Sequence, residues 1–377
     1  MKKIQMLDLS GQYKKIKTEV DEAIQEVIDS TAFINGAAVA CFAEELSDYT
    51  GAKHVIPCGN GTDALQMALM ALDLHAGDEV IVPAFTYIAA AEAVLQLGLT
   101  PVFVDVDSAT YNIDVAQLQH AISAGTKAII PVHLFGQSVD MEPLLHFARE
   151  NDLHVIEDNA QSIGTIYTFG DGMQKQCGTM GAIGCLSFFP SKNLGCFGDG
   201  GAMLTNDSDL AKRLKMIASH GQSVKYHHEI LGCNSRLDTI QAAVLRVKLK
   251  YLNQYNIARQ QVATYYHQHL SELSEVIQLP VEVPYSTHTY HQFTIQVKNG
   301  KRDELKAYLS ENDIPAMVYY PLSLPEQPVF MRCMKDNKVC TESARALSQS
   351  VLSLPMHTEM EEEQLAYIVN KIKAFFI

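Results

Sequence analysis

The chain has 377 residues, of which 47% are hydrophobic and 19% are charged, and its formal net charge is −14. This length exceeds the size at which one hydrophobic core usually stops growing, so we expect one large and one smaller domain. The acidic balance disfavours nucleic acid as a partner, and no apolar run is long enough to span a membrane. The N-terminus is too short and polar for a secretory signal, so we expect a cytoplasmic protein.

The eight cysteines indicate a reduced protein. None of them falls in a C-x-x-C spacing, and most lie in apolar or glycine-rich stretches. We therefore expect buried thiols, and neither a disulfide framework nor a metal site. The cysteines are Cys41, Cys58, Cys177, Cys185, Cys196, Cys233, Cys333 and Cys340.

From residue 54 the chain alternates short apolar runs with helical patterns. The pattern predicts strands over 54–58, 79–83, 101–105, 127–132 and 154–158, with helices over 62–74, 87–97, 115–122 and 142–149. Repeated β-α units of this kind form a mostly parallel α/β sheet with helices on both faces. Such a sheet binds ligands at the carboxyl ends of its strands.

The alternation of strand and helix patterns is interrupted after residue 182. Two apolar runs, 182–189 and 201–205, flank a glycine-rich loop that has no room for a helix, which predicts an antiparallel hairpin. The later predictions are helix 209–219, a helical stretch 237–273, strand 292–297, helix 303–310, strand 316–320 and helix 361–374. We assign 1–250 to a large domain with an N-terminal arm and 251–377 to a smaller α+β domain.

An acid and a lysine carry the strongest chemical signal. Asp158 ends the apolar strand 154–158, and Lys192 follows the apolar run that ends at residue 189. A desolvated lysine has a lowered pKa and can form a Schiff base with an aldehyde. A carboxylate can keep a pyridine nitrogen protonated, so that the ring accepts electrons. The pair predicts pyridoxal-phosphate chemistry; the alternatives are an N-cap for Asp158 and a solvated loop position for Lys192.

Other polar residues follow the predicted strands. The segment 59–65 opens a helix with small residues, which suits an anion, although for this segment taken alone a tight turn with an N-cap is the better explanation. It lacks G-x-G-x-x-G and the P-loop lysine, which disfavours a dinucleotide or nucleoside triphosphate. Gln161 can reach a phenolic oxygen, Ser187 can share a phosphate, and Tyr87 is either a ring-stacking or a core tyrosine.

The segment 220–238 holds most of the clustered positive potential of the chain. Arg236 is suited to a bidentate contact with a carboxylate. His227 and His228 could indicate a metal, but no Asp, Glu or His partner stands at ligand spacing, so we expect no metal site.

Taken together, these motifs resemble the DegT/StrS-type sugar aminotransferases, fold-type I pyridoxal-phosphate enzymes that act on nucleotide-linked keto-sugars. The resemblance covers nearly the whole chain and is carried by 60–65, 85–87, 157–161, 187–195, 198–201 and 234–238. It implies that Lys192 forms the Schiff base and carries protons, while Asp158 pairs with the pyridine nitrogen. It also implies a set of further cofactor contacts: Gln161 to the phenolic oxygen, Tyr87 over the ring, and Gly61, Thr62, Ser187 and the second subunit's copy of Asn234 to the phosphate. A homodimer with shared active sites is therefore expected.

Within the family, the segments 187–192, 220–222 and 226–228 are most similar to enzymes that aminate C3 of UDP-2-acetamido-3-keto-glucuronic acid, usually with glutamate as donor. The product would serve amino-sugar and surface-polysaccharide biosynthesis, such as that of O-antigen. The substrate contacts expected on this basis are His220, Lys225, His227, His228, Arg236, Tyr319 and Tyr320. Asn193 differs from some relatives, which have proline after the lysine.

Two alternatives stay open at this point. A dTDP-linked 3- or 4-keto-6-deoxyhexose would need no anchor for a carboxylate. A non-catalytic protein that binds the cofactor for sensing or regulation is the second alternative, and the presence of Lys192 argues against it.

Overall fold

The computed structural model describes residues 2–333 and 340–376. Its strands, in chain order, are β1 (His54–Cys58), β2 (Glu79–Pro83), β3 (Thr100–Val104), β4 (Thr126–Ile129), β5 (His154–Asp158), β6 (Ile166–Thr168), β7 (Gln174–Gln176), β8 (Ile183–Ser187), β9 (Gly201–Thr205), β10 (Gln222–Val224), β11 (His227–His228), β12 (Ile277–Gln278), β13 (Phe293–Val297) and β14 (Val351–Leu354). Its α-helices are α1 (Leu9–Ser30), α2 (Ala37–Thr50), α3 (Gly61–Ala71), α4 (Ala89–Gln96), α5 (Leu118–Ala121), α6 (Met141–Glu150), α7 (Ser208–Ala218), α8 (Thr239–Leu249), α9 (Leu252–Leu270), α10 (Arg302–Glu311), α11 (Pro328–Cys333), α12 (Glu342–Ser350) and α13 (Glu362–Phe376).

A seven-stranded sheet has the order β1-β9-β8-β5-β4-β2-β3. The neighbours from β8 to β3 pair in parallel, whereas β9 runs antiparallel to both β8 and β1. The predicted mostly parallel sheet with one antiparallel hairpin is therefore confirmed. Ser187 and Cys58 both pair with Gly201, which brings the end of β8 beside the turn that leads into α3.

Side chains alternate between the two faces of this sheet, as a strand period of two requires. In β2, Val80 and Val82 pack with α3 and α4, while Ile81 packs with α5 and α6 on the other face. A third cluster packs α2 and α8 against β1, β8 and β9. Each fully buried aliphatic side chain contributes roughly 1.5–3 kcal/mol, so both layers of helices, as predicted, hold the sheet in place.

The C-terminal part contains the antiparallel sheet β12-β13-β14. The predicted strand 292–297 and helix 303–310 are confirmed as β13 and α10. The predicted strand 316–320 is wrong: its pairing among the described residues is a single bridge between Met317 and Ser353 of β14. The proposed domain boundary after residue 250 stays a prediction.

Two other differences concern helices. The stretch 237–273 is divided into α8 and α9 around Lys250 and Tyr251. The long helix α1 was not predicted, because it buries only Ile16, Val20 and Val27 and so has a narrow apolar stripe. None of the described helices combines the length and apolarity that crossing a membrane requires.

The cysteines show a mixed pattern of exposure. Cys58, Cys177, Cys185 and Cys196 are buried, and no disulfide joins the cysteines within the described ranges. The expectation of burial is wrong for Cys340, which is exposed in the connection before α12. The side chain of Cys333 lies outside what the structure describes.

Candidate active site

A cavity of about 620 Å³ opens at the carboxyl ends of β5 and β8. Its walls are the start of α3, the residues that follow β2 and β5, the loop between β8 and β9, and two segments of the C-terminal part. The predicted site residues that line it are Gly61, Thr62, Tyr87, Asp158, Gln161, Ser187, Lys192, Tyr319 and Tyr320. The sheet therefore brings together residues that lie far apart in the sequence.

Lys192 presents its amine to this cavity from the loop between β8 and β9. Its backbone N–H donates to the carbonyl of Phe189 at 2.8 Å, which closes a tight turn. Burial lowers the pKa of Lys192 to about 8, although the nearby Asp158 carboxylate acts in the opposite direction. The neutral amine that nucleophilic attack requires is therefore more abundant near neutral pH than it is for an ordinary lysine.

The loop that carries Lys192 is closely packed. A Cβ at Gly195 would lie 2.4 Å from the carbonyl oxygen of Pro190, so this position excludes a side chain. The ammonium of Lys248 donates to the Gly195 carbonyl from α8. Burial also lowers the pKa of Lys248 to about 8, but Lys248 does not line the cavity. A lowered pKa therefore does not by itself distinguish Lys192; its position in the cavity does.

Asp158 is fixed by backbone bonds at the end of β5. Its N–H donates to the Pro131 carbonyl at 2.9 Å, its carbonyl accepts from His133 N–H at 3.1 Å, and its Oδ1 accepts from Ala160 N–H at 3.1 Å. Burial raises the pKa of Asp158, while the Ala160 N–H and the charge of Lys192 oppose this rise. No salt bridge within 4.0 Å reaches Asp158 from the described residues, so its carboxylate can accept a cationic N–H from a ligand.

The neighbouring acid, Glu157, is used differently. Its side chain accepts from His133 Nε2 at 2.9 Å and from the backbone N–H groups of Gly178, Met180 and Gly181 at 2.6–2.8 Å. Although burial acts to raise the pKa of Glu157, the bonds from His133 and from the backbone hold it below its ordinary value. Because strand neighbours point to opposite faces, only Asp158 faces the cavity.

The start of α3 forms one wall of the cavity. Helix α3 begins at Gly61, and Asn60 caps it by accepting from Asp63 N–H at 2.8 Å. A Cβ at Gly61 would lie 2.7 Å from Cβ of Ser187, so the helix end and the end of β8 are in close contact. The helix dipole and the hydroxyls of Thr62 and Ser187 suit a phosphate group here.

Gln161 offers a donor to the cavity. Its Oε1 accepts from the backbone N–H of Phe135 at 2.8 Å, so the amide nitrogen lies on the other side and donates to the hydroxyl of Tyr320 at 3.2 Å. Tyr87 is 58% exposed and its ring centroid lies 6.3 Å from that of Tyr320. Tyr87 is therefore not a core tyrosine, and its ring is free to cover a ligand.

The remaining predicted residues do not line this cavity. Asn234 and Arg236 lie in the connection before α8, and the others lie on or beside the β10–β11 hairpin: His220, Lys225, His227 and His228. All of these except the half-buried Arg236 are exposed. Across 2–333 and 340–376, no three His, Cys, Asp or Glu side chains are grouped so as to hold a metal ion. The roles assigned to this segment stay predictions.

Several lining residues were not identified from the sequence. Ser191 and Asp199 lie in the glycine-rich loop that was already singled out, whereas Phe135 follows β4. His291 and Gln292 come from the segment before β13, where no motif or spacing marks them. They reach the site only through the packing of the C-terminal part on the sheet.

A model of the DegT/DnrJ/EryC1/StrS aminotransferase family matches residues 14–373. The chain belongs to this family. It is therefore a pyridoxal-phosphate-dependent nucleotide-sugar aminotransferase of the α/β fold-type I class. The cavity offers a lysine, an acid and the N-terminus of a helix, which are the kinds of group that such a cofactor requires.

Three relatives have similarity over nearly their whole lengths. A "pleiotropic regulatory protein" of Geobacillus stearothermophilus is 45% identical, with 99% of this chain and 98% of the relative covered. UDP-N-acetyl-3-dehydro-α-D-glucosamine 3-aminotransferase of Acidithiobacillus ferrooxidans is 43% identical, with 98% and 97% covered. UDP-2-acetamido-2-deoxy-3-oxo-D-glucuronate aminotransferase of Pseudomonas aeruginosa is 41% identical, with 97% and 98% covered.

Two solved structures are similar to nearly the whole of this chain. Streptomyces venezuelae DesV, in complex with a ketimine intermediate, is 37% identical with a TM-score of 0.94, and 100% of this chain and 99% of that chain are covered. Bacillus subtilis NtdA, with bound cofactor PMP, is 32% identical with a TM-score of 0.87, and 96% and 82% are covered.

Proposed function

We propose that this enzyme transfers the amino group of glutamate to the 3-keto carbon of a UDP-linked 2-acetamido-3-keto-glucuronic acid. The observation that carries the proposal is the shared cavity of Lys192, with its lowered pKa, and Asp158, with no cationic partner at contact distance. The names of the A. ferrooxidans and P. aeruginosa relatives support a UDP-linked 3-keto sugar as the acceptor.

The cavity residues fit the cofactor. When bound, pyridoxal phosphate supplies an aldehyde that captures amino groups and a ring that accepts electrons. In the proposed arrangement Gly61, Thr62 and Ser187 hold the phosphate, and Asp158 accepts the ring N–H. Gln161 donates to the phenolic oxygen and Tyr87 covers the ring.

Lys192 has two tasks in this proposal. Its neutral Nζ holds the cofactor before the donor arrives. Once displaced by the donor amine, Nζ accepts the proton from the donor carbon and later delivers a proton to the sugar carbon. A pKa near 8 suits both directions, because the amine exchanges protons readily near neutral pH.

Most of the residues that we propose to contact the sugar lie outside the cavity of one chain. We propose a cytoplasmic homodimer in which Asn234 contacts the phosphate across the subunit interface. His220, Lys225, His227, His228 and Arg236 then meet the diphosphate and carboxylate of the sugar, with Tyr319 and Tyr320 on the cavity side. The cationic character of this segment in a chain of net charge −14 supports this assignment.

The first test is to add L-glutamate alone to the cofactor-loaded enzyme. The absorbance of the aldehyde form should change to that of the amine form, with one equivalent of 2-oxoglutarate released. Lys192→Ala provides the negative control. A loaded enzyme whose spectrum does not change with glutamate would exclude it as the donor.

The second test separates the candidate sugars. The amine-form enzyme is offered the UDP-linked 3-keto sugar with a C6 carboxylate, the same sugar with a C6 hydroxyl, and a dTDP-linked 3-keto-6-deoxyhexose. The proposal expects the carboxylate sugar to return the aldehyde spectrum fastest. Preference for the dTDP sugar would support the alternative substrate.

The name of the G. stearothermophilus relative keeps a regulatory function as the second candidate. A protein that binds the cofactor only for sensing would be coloured but would not transfer amino groups to any of the three sugars. A protein that stays colourless with pyridoxal phosphate would contradict both candidates.

A further inference from the structure

Asn193 is a buried amide to which the reaction proposed above gives no role. It follows Lys192 directly in the loop between β8 and β9, and it is 3% exposed. Lys192 lines the cavity, whereas Asn193 does not. Its side chain is instead bonded to α9 and to the segment before β13, and these bonds determine what Asn193 does for its neighbour.

Three hydrogen bonds fix the amide of Asn193. Its Nδ2 donates to the Thr289 carbonyl at 3.0 Å and to Oδ1 of Asn256 at 2.9 Å. Because a backbone carbonyl can only accept, the amide nitrogen must be the atom that faces Thr289. Oδ1 therefore lies on the other side, where it accepts from Nδ1 of His291 at 3.3 Å. The amide thus joins the loop that carries Lys192 to two segments of the C-terminal part.

The partners of Asn193 are themselves held by hydrogen bonds. Nδ2 of Asn256 donates to the Ile163 carbonyl at 3.2 Å, and the N–H of Thr289 donates to the Gly136 carbonyl at 2.9 Å. Ile163 and Gly136 lie in the connections that follow β5 and β4, and both connections supply residues to the cavity wall. The amide is therefore anchored to the same frame that shapes the cavity.

The main chain transmits this anchoring to Lys192. The two residues share a peptide bond, and the N–H of Lys192 donates to the Phe189 carbonyl at 2.8 Å. The backbone is thus restrained before Lys192 by this turn and after it by the Asn193 amide. The side chain of Lys192 therefore starts from a Cα whose position is fixed on both sides.

We propose that Asn193 is a positioning residue for Lys192, whose amide fixes the main chain so that the Lys192 amine is presented to the cavity. Asn256 takes part through Asn193. The inference deepens the proposed function and rests on Lys192 being its reactive amine. Loss of the amide leaves the bond from Lys248 to the Gly195 carbonyl in place, so the loop keeps its other attachment.

Loosening the loop should slow the capture of pyridoxal phosphate without weakening its binding. The reaction rate depends on how the amine is placed, and a displacement of about 1 Å can lower a rate by about 10²-fold. The groups proposed to hold the phosphate, Gly61, Thr62 and Ser187, make no hydrogen bond with Asn193. We expect Asn193→Ala to lower the limiting rate of capture by about tenfold and to change the half-saturating cofactor concentration by less than about twofold.

The experiment mixes the full-length protein, freed of cofactor, with increasing concentrations of pyridoxal phosphate at about pH 9.5. Burial lowers the pKa of Lys192 to about 8, so its amine is mostly neutral at this pH and its placement is separated from its protonation. Lys192→Ala gives the background rate. Tyr266→Phe is the matched control, because Tyr266 is fully buried on α9 and donates to the Pro355 carbonyl at 2.9 Å, outside the cavity.

A second variant, Asn256→Ala, tests the same chain of bonds from its other end. Its limiting rate should fall by only about threefold, because Asn193 keeps its bonds to Thr289 and His291. The double variant should be no slower than Asn193→Ala, since Asn256 acts through Asn193. The Tyr266→Phe control should capture the cofactor at the wild-type rate.

A wild-type limiting rate in Asn193→Ala would overturn the inference, and should that variant not fold, a wild-type rate in Asn256→Ala would do so. An equal loss in the Tyr266→Phe control would show general loosening and would also overturn it, as would a double variant in which the two losses multiply. Failure of glutamate to convert the loaded wild-type enzyme would instead contradict the proposed function, and the capture rates would still decide the role of Asn193.

Discussion

The cavity wall and the segment 220–236 contain most of the predicted site residues, but the chain fixes them to different degrees. In the wall, Gly61 is pressed against Ser187, and Asp158 makes hydrogen bonds with Pro131, His133 and Ala160. In the segment, the hairpin is short and most of the predicted residues are exposed. The difference teaches that one chain is sufficient to preorganise the wall of the cavity, whereas it leaves exposed most of the residues of the segment that we propose to contact the sugar.

The largest expected effect is that of Lys192→Ala. Loss of the amine removes both the attachment point and the proton carrier, so the rate of amino transfer should fall by at least about 10⁴-fold. The measurement is single-turnover conversion with glutamate. Lys212→Ala removes an exposed lysine that pairs with Asp209 and serves as the control. Retention of a tenth of the rate by Lys192→Ala would contradict the assignment.

Gly61→Ala tests the rigidity of the wall. The added methyl would lie 2.7 Å from Cβ of Ser187, so the helix end must move from the phosphate position. We expect cofactor affinity to fall by roughly 10–100-fold, because several directed hydrogen bonds to the phosphate are weakened together. Gly125→Ala is the matched control, since its nearest contact would be 3.5 Å away. Equal cofactor affinities in the two variants would mean that the start of α3 can accommodate the added methyl without weakening the binding of the phosphate.

The pH dependence of cofactor capture tests the electrostatics of the wall. Burial lowers the pKa of Lys192 to about 8, so the neutral amine is the minor form below that pH and the major form above it. The capture rate should rise by about tenfold per pH unit and level off above pH 8. A rise that continues to about pH 10, as for an ordinary lysine, would show that Lys192 is solvated.

Arg236→Ala tests the role of the segment 220–236. We expect the KM for the carboxylate sugar to rise by about tenfold, because a charge-assisted hydrogen bond is lost, with little change in the glutamate half-reaction. The neutral C6-hydroxyl sugar is the control substrate. A variant that slows the glutamate step instead would place Arg236 in the cofactor site.

The same contrast explains which of the site residues could be predicted from the sequence. Strand ends are local signals, so Asp158, Gln161, Ser187 and Lys192 could be located from apolar runs and the residues that follow them. The parallel sheet then accounts for their meeting at one edge. His291 could not be found in this way, because it carries no motif and reaches the cavity through tertiary packing.

Tertiary packing also matters for the two elements, segment 316–320 and helix α1, that were not predicted correctly from the sequence. The segment 316–320 has the composition of a strand, but its pairing among the described residues is limited to the bridge of Met317 to Ser353 at the edge of β14. Helix α1 has too narrow an apolar stripe to be recognised, although Ile16 and Val20 are buried against α8. In both cases the deciding contacts lie far away in the chain.

Lys192 and Lys248 both have a pKa lowered to about 8, and of these two only Lys192 lines the cavity. The identity of the reactive amine is therefore the most direct test. The loaded enzyme is reduced with borohydride, which fixes the cofactor to the lysine that holds it, and the digested protein is mapped by mass spectrometry. We predict the modification on Lys192. Modification of Lys248, with Lys192 unchanged, would contradict the account.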